Sequence, residues 1–195
     1  MKPVKKERKT RETDIKLVLD IYGQGKCKIS TGIGFFDHML EAFAFHGCFD
    51  LELTCKGDLQ VCGHHTVEDT GIVLGQAFRE SLPQDRALIR FGTGWVPMDE
   101  TLAHAVVDIS GRSYLVLEAN FTRERIGDFD TELVREFFQA FANNFAINLH
   151  LKILYGNNTH HQIEALFKAV GVALRQALQI DEKRTGPAST KGVLV

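Results

Sequence analysis

Two copies of one cluster carry the chemistry of this chain: His64-His65-Thr66-Val67-Glu68 and His160-His161-Gln162-Ile163-Glu164, 96 residues apart (64 to 160). Adjacent imidazoles with a carboxylate three and four residues on are metal-ligand chemistry, suited to manganese, iron, nickel, copper or zinc, and the carboxylate favours the harder ions. Apolar residues follow each copy at steps of three and four: Val67, Gly71, Leu74, Phe78 and Leu82, then Ile163, Phe167, Val170, Leu174 and Leu178. That spacing predicts that each motif opens an amphipathic helix. On such a helix the Glu shares a face with a His of its own motif. Neighbouring His residues instead point about 100° apart. The pair is therefore awkward for chelating one ion and better placed to give one nitrogen to each of two.

Further ligands are needed, because an octahedral ion takes about six donors. His38, inside Phe36-Asp37-His38-Met39, is one candidate, and Glu136, before Phe137-Phe138, holds the comparable place in the second half. Cys62 precedes the first motif by two residues, but a free Cys commonly packs as a small buried hydrophobe. His46, His104 and His150 have no such partners and read as structural. Arg90, Arg112, Ser189 and Lys191 each sit where a strand or tail meets a loop. Together they could clamp a phosphate, Arg as a fork and Lys as a point charge, although each alone is ordinary surface charge. No nucleotide-binding glycine fingerprint and no Gly-x-Ser-x-Gly elbow is present, which speaks against nucleotide-dependent chemistry and a serine hydrolase.

The elements that must position these groups follow the same 96-residue offset. The first half reads as strand, strand, helix, strand, helix: Ile15–Ile21 and Cys27–Ile29 alternate, Phe35–Phe45 is a helix ending at Gly47, Phe49–Leu53 alternates, and the His64 helix closes the unit. The second half repeats the order with strands Ala87–Phe91, Leu102–Ile109 and Tyr114–Ala119, a helix Thr131–Phe145, a strand Ile147–Leu154 and the His160 helix. Helices can pack only on a sheet's apolar face, so each half should be a two-layer α/β sandwich. The division is residues 1–85, 86–180 and a polar tail, 181–195. The N-terminal Lys2, Lys5, Lys6, Arg8 and Lys9 read as a solvated arm without function. At 195 residues, 44% hydrophobic and 25% charged, with net charge −2, the composition is that of a globular protein with no nucleic-acid footprint and no membrane span. Four cysteines without a CxxC point to reduced thiols and a cytoplasmic setting.

With these motifs in view, the sequence resembles the imidazoleglycerol-phosphate dehydratase family of histidine biosynthesis. The match rests on Arg8-Lys9-Thr10-Arg11-Glu12-Thr13, Gly34-Phe35-Phe36-Asp37-His38-Met39, Gly63-His64-His65-Thr66-Val67-Glu68-Asp69, Val96-Pro97-Met98-Asp99-Glu100, Asp108-Ile109-Ser110-Gly111-Arg112, His160-His161-Gln162-Ile163-Glu164-Ala165 and Ser189-Thr190-Lys191-Gly192. The resemblance implies an α+β fold of two tandem pseudo-repeats, halves like domain 2 of ribosomal protein S5, two Mn2+ per active site, and a homo-oligomeric 24-mer built from trimers with sites between subunits. It implies as metal ligands His38, His64, His65, Glu68, Glu136, His160, His161 and Glu164, and as substrate contacts Glu12, Arg90, Arg112, Ser189 and Lys191. The implied reaction dehydrates D-erythro-imidazole glycerol phosphate to imidazole acetol phosphate. The proton lost lies beside no carbonyl and no organic electron sink is evident, but a metal pair can supply one. Glu164 is the expected base, with Glu68 or Glu12 moving the other proton. Some members have His at 136, and Ser113 stands where Pro is usual. Two rival readings are a non-catalytic, metal-stapled shell or storage protein, and a two-metal phosphoester hydrolase.

Overall fold

The computed structural model describes residues 2–184, 186, 188 and 189. The chain runs β1 (Val4–Lys9), β2 (Thr13–Asp20), β3 (Cys27–Ser30), α1 (Gly34–Gly47), β4 (Asp50–Gly57), α2 (His64–Glu80), β5 (Phe91–Met98), β6 (Thr101–Asp108), β7 (Tyr114–Glu118), β8 (Arg125–Ile126), β9 (Phe129–Asp130), α3 (Leu133–Phe145), β10 (Asn148–Tyr155) and α4 (Thr159–Ala177). Its two four-stranded sheets have corresponding orders, β1-β2-β4-β3 and β5-β6-β10-β7. In each the last neighbour is parallel and reached through a helix, while the other pairings are antiparallel. This is the duplicated α+β architecture expected.

Each sheet turns one face inward: Ile15, Leu17 and Leu19 from β2, and Ala103, Ala105 and Val107 from β6, are buried while their neighbours are not. Helices α1 and α2 cover the first sheet, α3 and α4 the second, and the two helical layers pack on each other, α1 on α4 and α2 on α3. Fully buried phenylalanines cross this middle seam, with ring centroids 5.4 Å apart for Phe36–Phe137, 6.1 Å for Phe43–Phe141 and 5.3 Å for Phe78–Phe145. Burying one such side chain is worth roughly 1.5–3 kcal/mol. The halves thus share one core.

Helix contact across the seam is close enough to need glycine. A Cβ on Gly75 would fall 2.6 Å from the Phe141 carbonyl oxygen, and one on Gly171 would fall 2.4 Å from that of Phe43. These are the same contact seen twice, with α2 and α4 offset by 96 residues (75 to 171) and α1 and α3 by 98 (43 to 141). The left-handed helix ends obey the second offset too, Cys48 at φ 57° and Ala146 at φ 62°.

Three expectations need correction. The basic N-terminal run is no free arm: Val4–Lys9 is an edge strand paired along β2, with Lys6 on Glu80 and Arg8 on the buried Asp69. Long basic stems pack inward while their heads reach acids, a pattern invisible to apolar alternation. Ala87–Phe91 is not a regular strand; it makes an isolated bridge, Leu88 to Ile180, and the strand begins where it was expected to end. That strand, β5, was masked by Gly92 and Gly94, whose missing side chains let α4 approach: a Cβ there would lie 1.9 Å and 2.2 Å from the Ala173 and Ala169 carbonyl oxygens. Cys62 is exposed, not buried filler.

Candidate active site

Both His-His motifs open their helices as the spacing requires. In each, the two rings stand 6.1 Å apart at 86°, so the neighbours face different directions. On α4, His160 Nε2 lies 3.0 Å from Glu164 Oε2, one turn on. The packing of α1 on α4 adds His38, whose Nε2 is 3.3 Å from the same oxygen. Among the described residues, His38, His160 and Glu164 are the one trio of candidate ligands whose donor atoms all lie within 4.8 Å of each other. Two imidazole nitrogens and a carboxylate oxygen converging in this way fit a divalent cation of the harder, imidazole-tolerant kind.

On α2, His64 Nε2 is 3.8 Å from Glu68 Oε2. Glu136 stands 98 residues on from His38 (38 to 136), so the helix-pair correspondence puts it beside α2 in the place His38 takes beside α4. Among the described residues it joins no compact trio.

The outer imidazoles are held by acids. His65 Nδ1 is 3.1 Å from both oxygens of Asp58, and its Nε2 is 3.7 Å from Glu12 Oε1. The bond to Asp58 raises the His65 pKa above its ordinary value. His161 Nδ1 is 2.8 Å from Glu100 Oε2. The Glu100 carboxyl is held well below the usual range, first by that bond and then by the backbone N–H of Asn158.

Glu164 is 6% exposed, and Lys168 Nζ is 2.6 Å from its Oε1. Burial pushes the Glu164 carboxyl up, but the bond and charge of Lys168, with His38 and His160, hold it below the ordinary value. Sequence reasoning passed over Lys168, Asp58 and Glu100 as members of the site. The Glu-to-Lys spacing of four was a usable signal for the first; the other two are joined to their imidazoles only by tertiary contact.

Arg90, expected in the anion clamp, lies elsewhere. It grips Asp108 with Nε and a terminal nitrogen (2.6 and 3.1 Å) and donates at 2.5 Å to the carbonyl of Ala188, the residue before Ser189. Arg112 is exposed in the turn at Gly111, and the Ser113 hydroxyl bonds the Asn143 carbonyl at 3.0 Å, a contact that proline could not make. Lys191 lies outside the described residues. Arg90 N–H bonds the Ala177 carbonyl, so Arg90 is at the far end of α4, thirteen residues or roughly 20 Å along the helix from Glu164 at about 1.5 Å per residue. Arg90 and the ligand candidates of α4 therefore do not meet within one chain.

The family model for imidazoleglycerol-phosphate dehydratase matches residues 31–174. A Clostridium botulinum protein of that name is 57% identical over 187 residues, covering 96% of this chain and 95% of its own length. One from a Thermoanaerobacter species is 55% identical over 194 residues, covering 100% of both. The crystal structure of imidazoleglycerol-phosphate dehydratase from Staphylococcus aureus superposes with a TM-score of 0.83 at 42% identity, over 92% of this chain and 99% of that one. The Pyrococcus furiosus structure in complex with (S)-C348 gives 0.84 at 41% identity, over 97% and 100%.

Proposed function

The chain belongs to the imidazoleglycerol-phosphate dehydratase family, the dehydratase of histidine biosynthesis, and from that premise we propose that it is a metal-dependent lyase making imidazole acetol phosphate and water from D-erythro-imidazole glycerol phosphate. The observation that carries the metal dependence is the trio of His38, His160 and Glu164 on one oxygen atom. Those three, with His64, Glu68 and Glu136 and the outer His65 and His161, are the residues we assign to two Mn2+. When bound, the ions would act as Lewis acids toward the substrate's imidazole, supplying the electron sink that no side chain here offers.

The chain's own groups divide the remaining work. Arg90, Arg112, Ser189 and Lys191 bind the phosphate, and anchoring that end aligns the reacting carbons. The imidazole and phosphate of this substrate are joined by three carbons, which cannot span the distance between the two ends of α4. The reading therefore places each site between copies of the chain, in a homo-oligomer such as the 24-mer that the resemblance implies. Glu164, the expected base, has one oxygen on two imidazoles and the other on Lys168. That engagement favours a ligand role. Glu12, half-exposed and only 3.7 Å from one nitrogen, is the carboxylate at liberty to move a proton, with Glu68 as the second. Four free cysteines are in keeping with the cytoplasm, and among the described residues no helix is long and apolar enough to cross a membrane.

The test is to incubate the protein with imidazole glycerol phosphate, with Mn2+ or after metal stripping, and assay for ketone and free phosphate. Ketone formed only with metal supports the reading. Phosphate release would favour a two-metal phosphoester hydrolase. A second arm mixes and reassembles Arg112→Ala with Glu164→Gln chains. Sites between copies regain activity in the mixture, whereas sites within one chain do not.

A further inference from the structure

The two outer histidines are oriented by carboxylates from non-equivalent places in the duplicated fold, and this difference assigns a job to each acid. Thr13 and Thr101 open β2 and β6, and both are buried (3% and 1%). Thr13 pairs across to Gly57 at the end of β4, and a Cβ on Gly156, just past β10, would fall 2.2 Å from Thr101 Oγ1. The same Thr–Gly corner is thus built twice. It makes Glu12 the counterpart of Glu100, each preceding its Thr, and Asp58 the counterpart of Asn157, each following its Gly.

In the first half Asp58 faces His65 Nδ1 at 3.1 Å. In the second half that place holds an amide, and the hairpin carboxylate takes over: Glu100 Oε2 reaches His161 Nδ1 at 2.8 Å. Glu100 Oε1 meanwhile accepts the backbone N–H groups of Asn157 (3.1 Å) and Asn158 (2.8 Å) and the Thr101 hydroxyl (2.9 Å). Among the described residues nothing comparable ties down the Glu12 carboxylate, which approaches His65 Nε2 at 3.7 Å. A carboxylate can only accept, so a ring facing one through Nδ1 carries its proton there and keeps the Nε2 lone pair. Among the described residues His161 Nε2 makes only longer approaches, 3.5 Å to Asn158 Nδ2 and 3.9 Å to Asp99 Oδ2. This is the arrangement by which a carboxylate fixes the tautomer and aim of a metal-ligating imidazole.

We propose that Asp58 and Glu100 are positioning residues that set His65 and His161 to ligate through Nε2, and that Asp58, by taking this role in the first half, releases Glu12 from it. The inference rests on the metal-dependent reading above and deepens it. It treats Glu12 and Glu100 as one duplicated glutamate whose copies have parted, one locked behind a histidine and one left for the substrate.

The experiment is a titration of the metal-stripped, full-length protein with Mn2+, followed by the loss of the free-ion electron paramagnetic resonance signal. Thermal melting of the stripped proteins is measured alongside. Asp58→Ala should bind Mn2+ about 10- to 100-fold more weakly, the usual cost of losing such an outer partner, at an unchanged metal-free melting temperature. Asp58→Asn, which keeps an acceptor oxygen, should restore most of the affinity. Glu100→Ala should weaken binding similarly, and Glu12→Ala should bind as the wild type does. Wild-type affinity in Asp58→Ala, or a loss in Glu12→Ala equal to that in Asp58→Ala, would overturn the assignment while leaving the metal reading intact. A wild-type protein that binds no Mn2+ would remove both.

Discussion

Helices α2 and α4 carry the same His-His-x-x-Glu motif in the same register, yet the two motifs lie in different electrostatic settings. On α4 the glutamate is buried and shared among His38, His160 and Lys168. On α2 Glu68 has a side chain 44% exposed, His64 is 3.8 Å away, Ile72 replaces Lys168 at the matching position, and the facing helix offers Glu136 where α1 offers His38. One place gathers two imidazoles, a carboxylate and an ammonium; at the other one imidazole stands 3.8 Å from one carboxylate. Duplication copied the placement of the donors but not their charge, because the charge is set both by the helix's own next turn, Lys168 against Ile72, and by what the opposite half presents across the seam.

The sharpest way to break this comparison is to remove one proton from contention at a time. Glu164→Gln should lose Mn2+ binding and turnover together, whereas Glu12→Gln should keep the metal and lose turnover by ~10²-fold or more, the usual range for a general base. A Glu164→Gln protein that holds its metal and has lost turnover would return the base role to Glu164. Next in size is the asymmetry at the seam. Glu136→Ala should weaken metal binding at the α2 motif, measured by Mn2+ titration, while Glu136→His, which installs the residue found at 38, should retain it. Equal loss in both would mean that the correspondence between His38 and Glu136 carries no function.

Arg112→Ala tests the phosphate clamp. A charge-assisted hydrogen bond worth roughly 1.5–3 kcal/mol corresponds to a rise of about 10- to 100-fold in the apparent substrate requirement, with weaker inhibition by phosphate and unchanged Mn2+ affinity. An unaltered response to phosphate would take Arg112 out of the clamp. The smallest effects belong to the seam itself. Gly75→Ala and Gly171→Ala each press a methyl on a facing carbonyl and should cost about 1–3 kcal/mol, typical of overpacking. Similar falls in melting temperature would confirm that the two helix pairs are mechanically alike even where their chemistry is not.

Much of this was legible before any coordinates. The three- and four-residue steps after His64 and His160 placed both motifs at helix starts, and the perpendicular rings of each pair follow from helical geometry alone. His38 and Glu136 could be named as comparable because their surroundings repeat. What failed did so where the local pattern is silent. β5 was hidden because Gly92 and Gly94 give no apolar alternation, and β1 because its inward residues include Lys6 and Arg8. Asp58 and Glu100 carried no signal strong enough to set them apart from solvated charge, and Lys168 had only its four-residue spacing from Glu164.

The identity of the donors, their spacing along a helix and the doubling of the whole unit are properties of the chain as written, since hydrogen bonds four residues apart fix which side chains share a face. Which acid backs which imidazole, why Glu164 is enclosed and Glu68 open, and how far Arg90 stands from the histidines of α4 were decided only by folding. Those relations join residues from 7 to 126 positions apart, and no local rule reaches that far. They follow from two sheets clasping two layers of helices closely enough that glycine alone fits between.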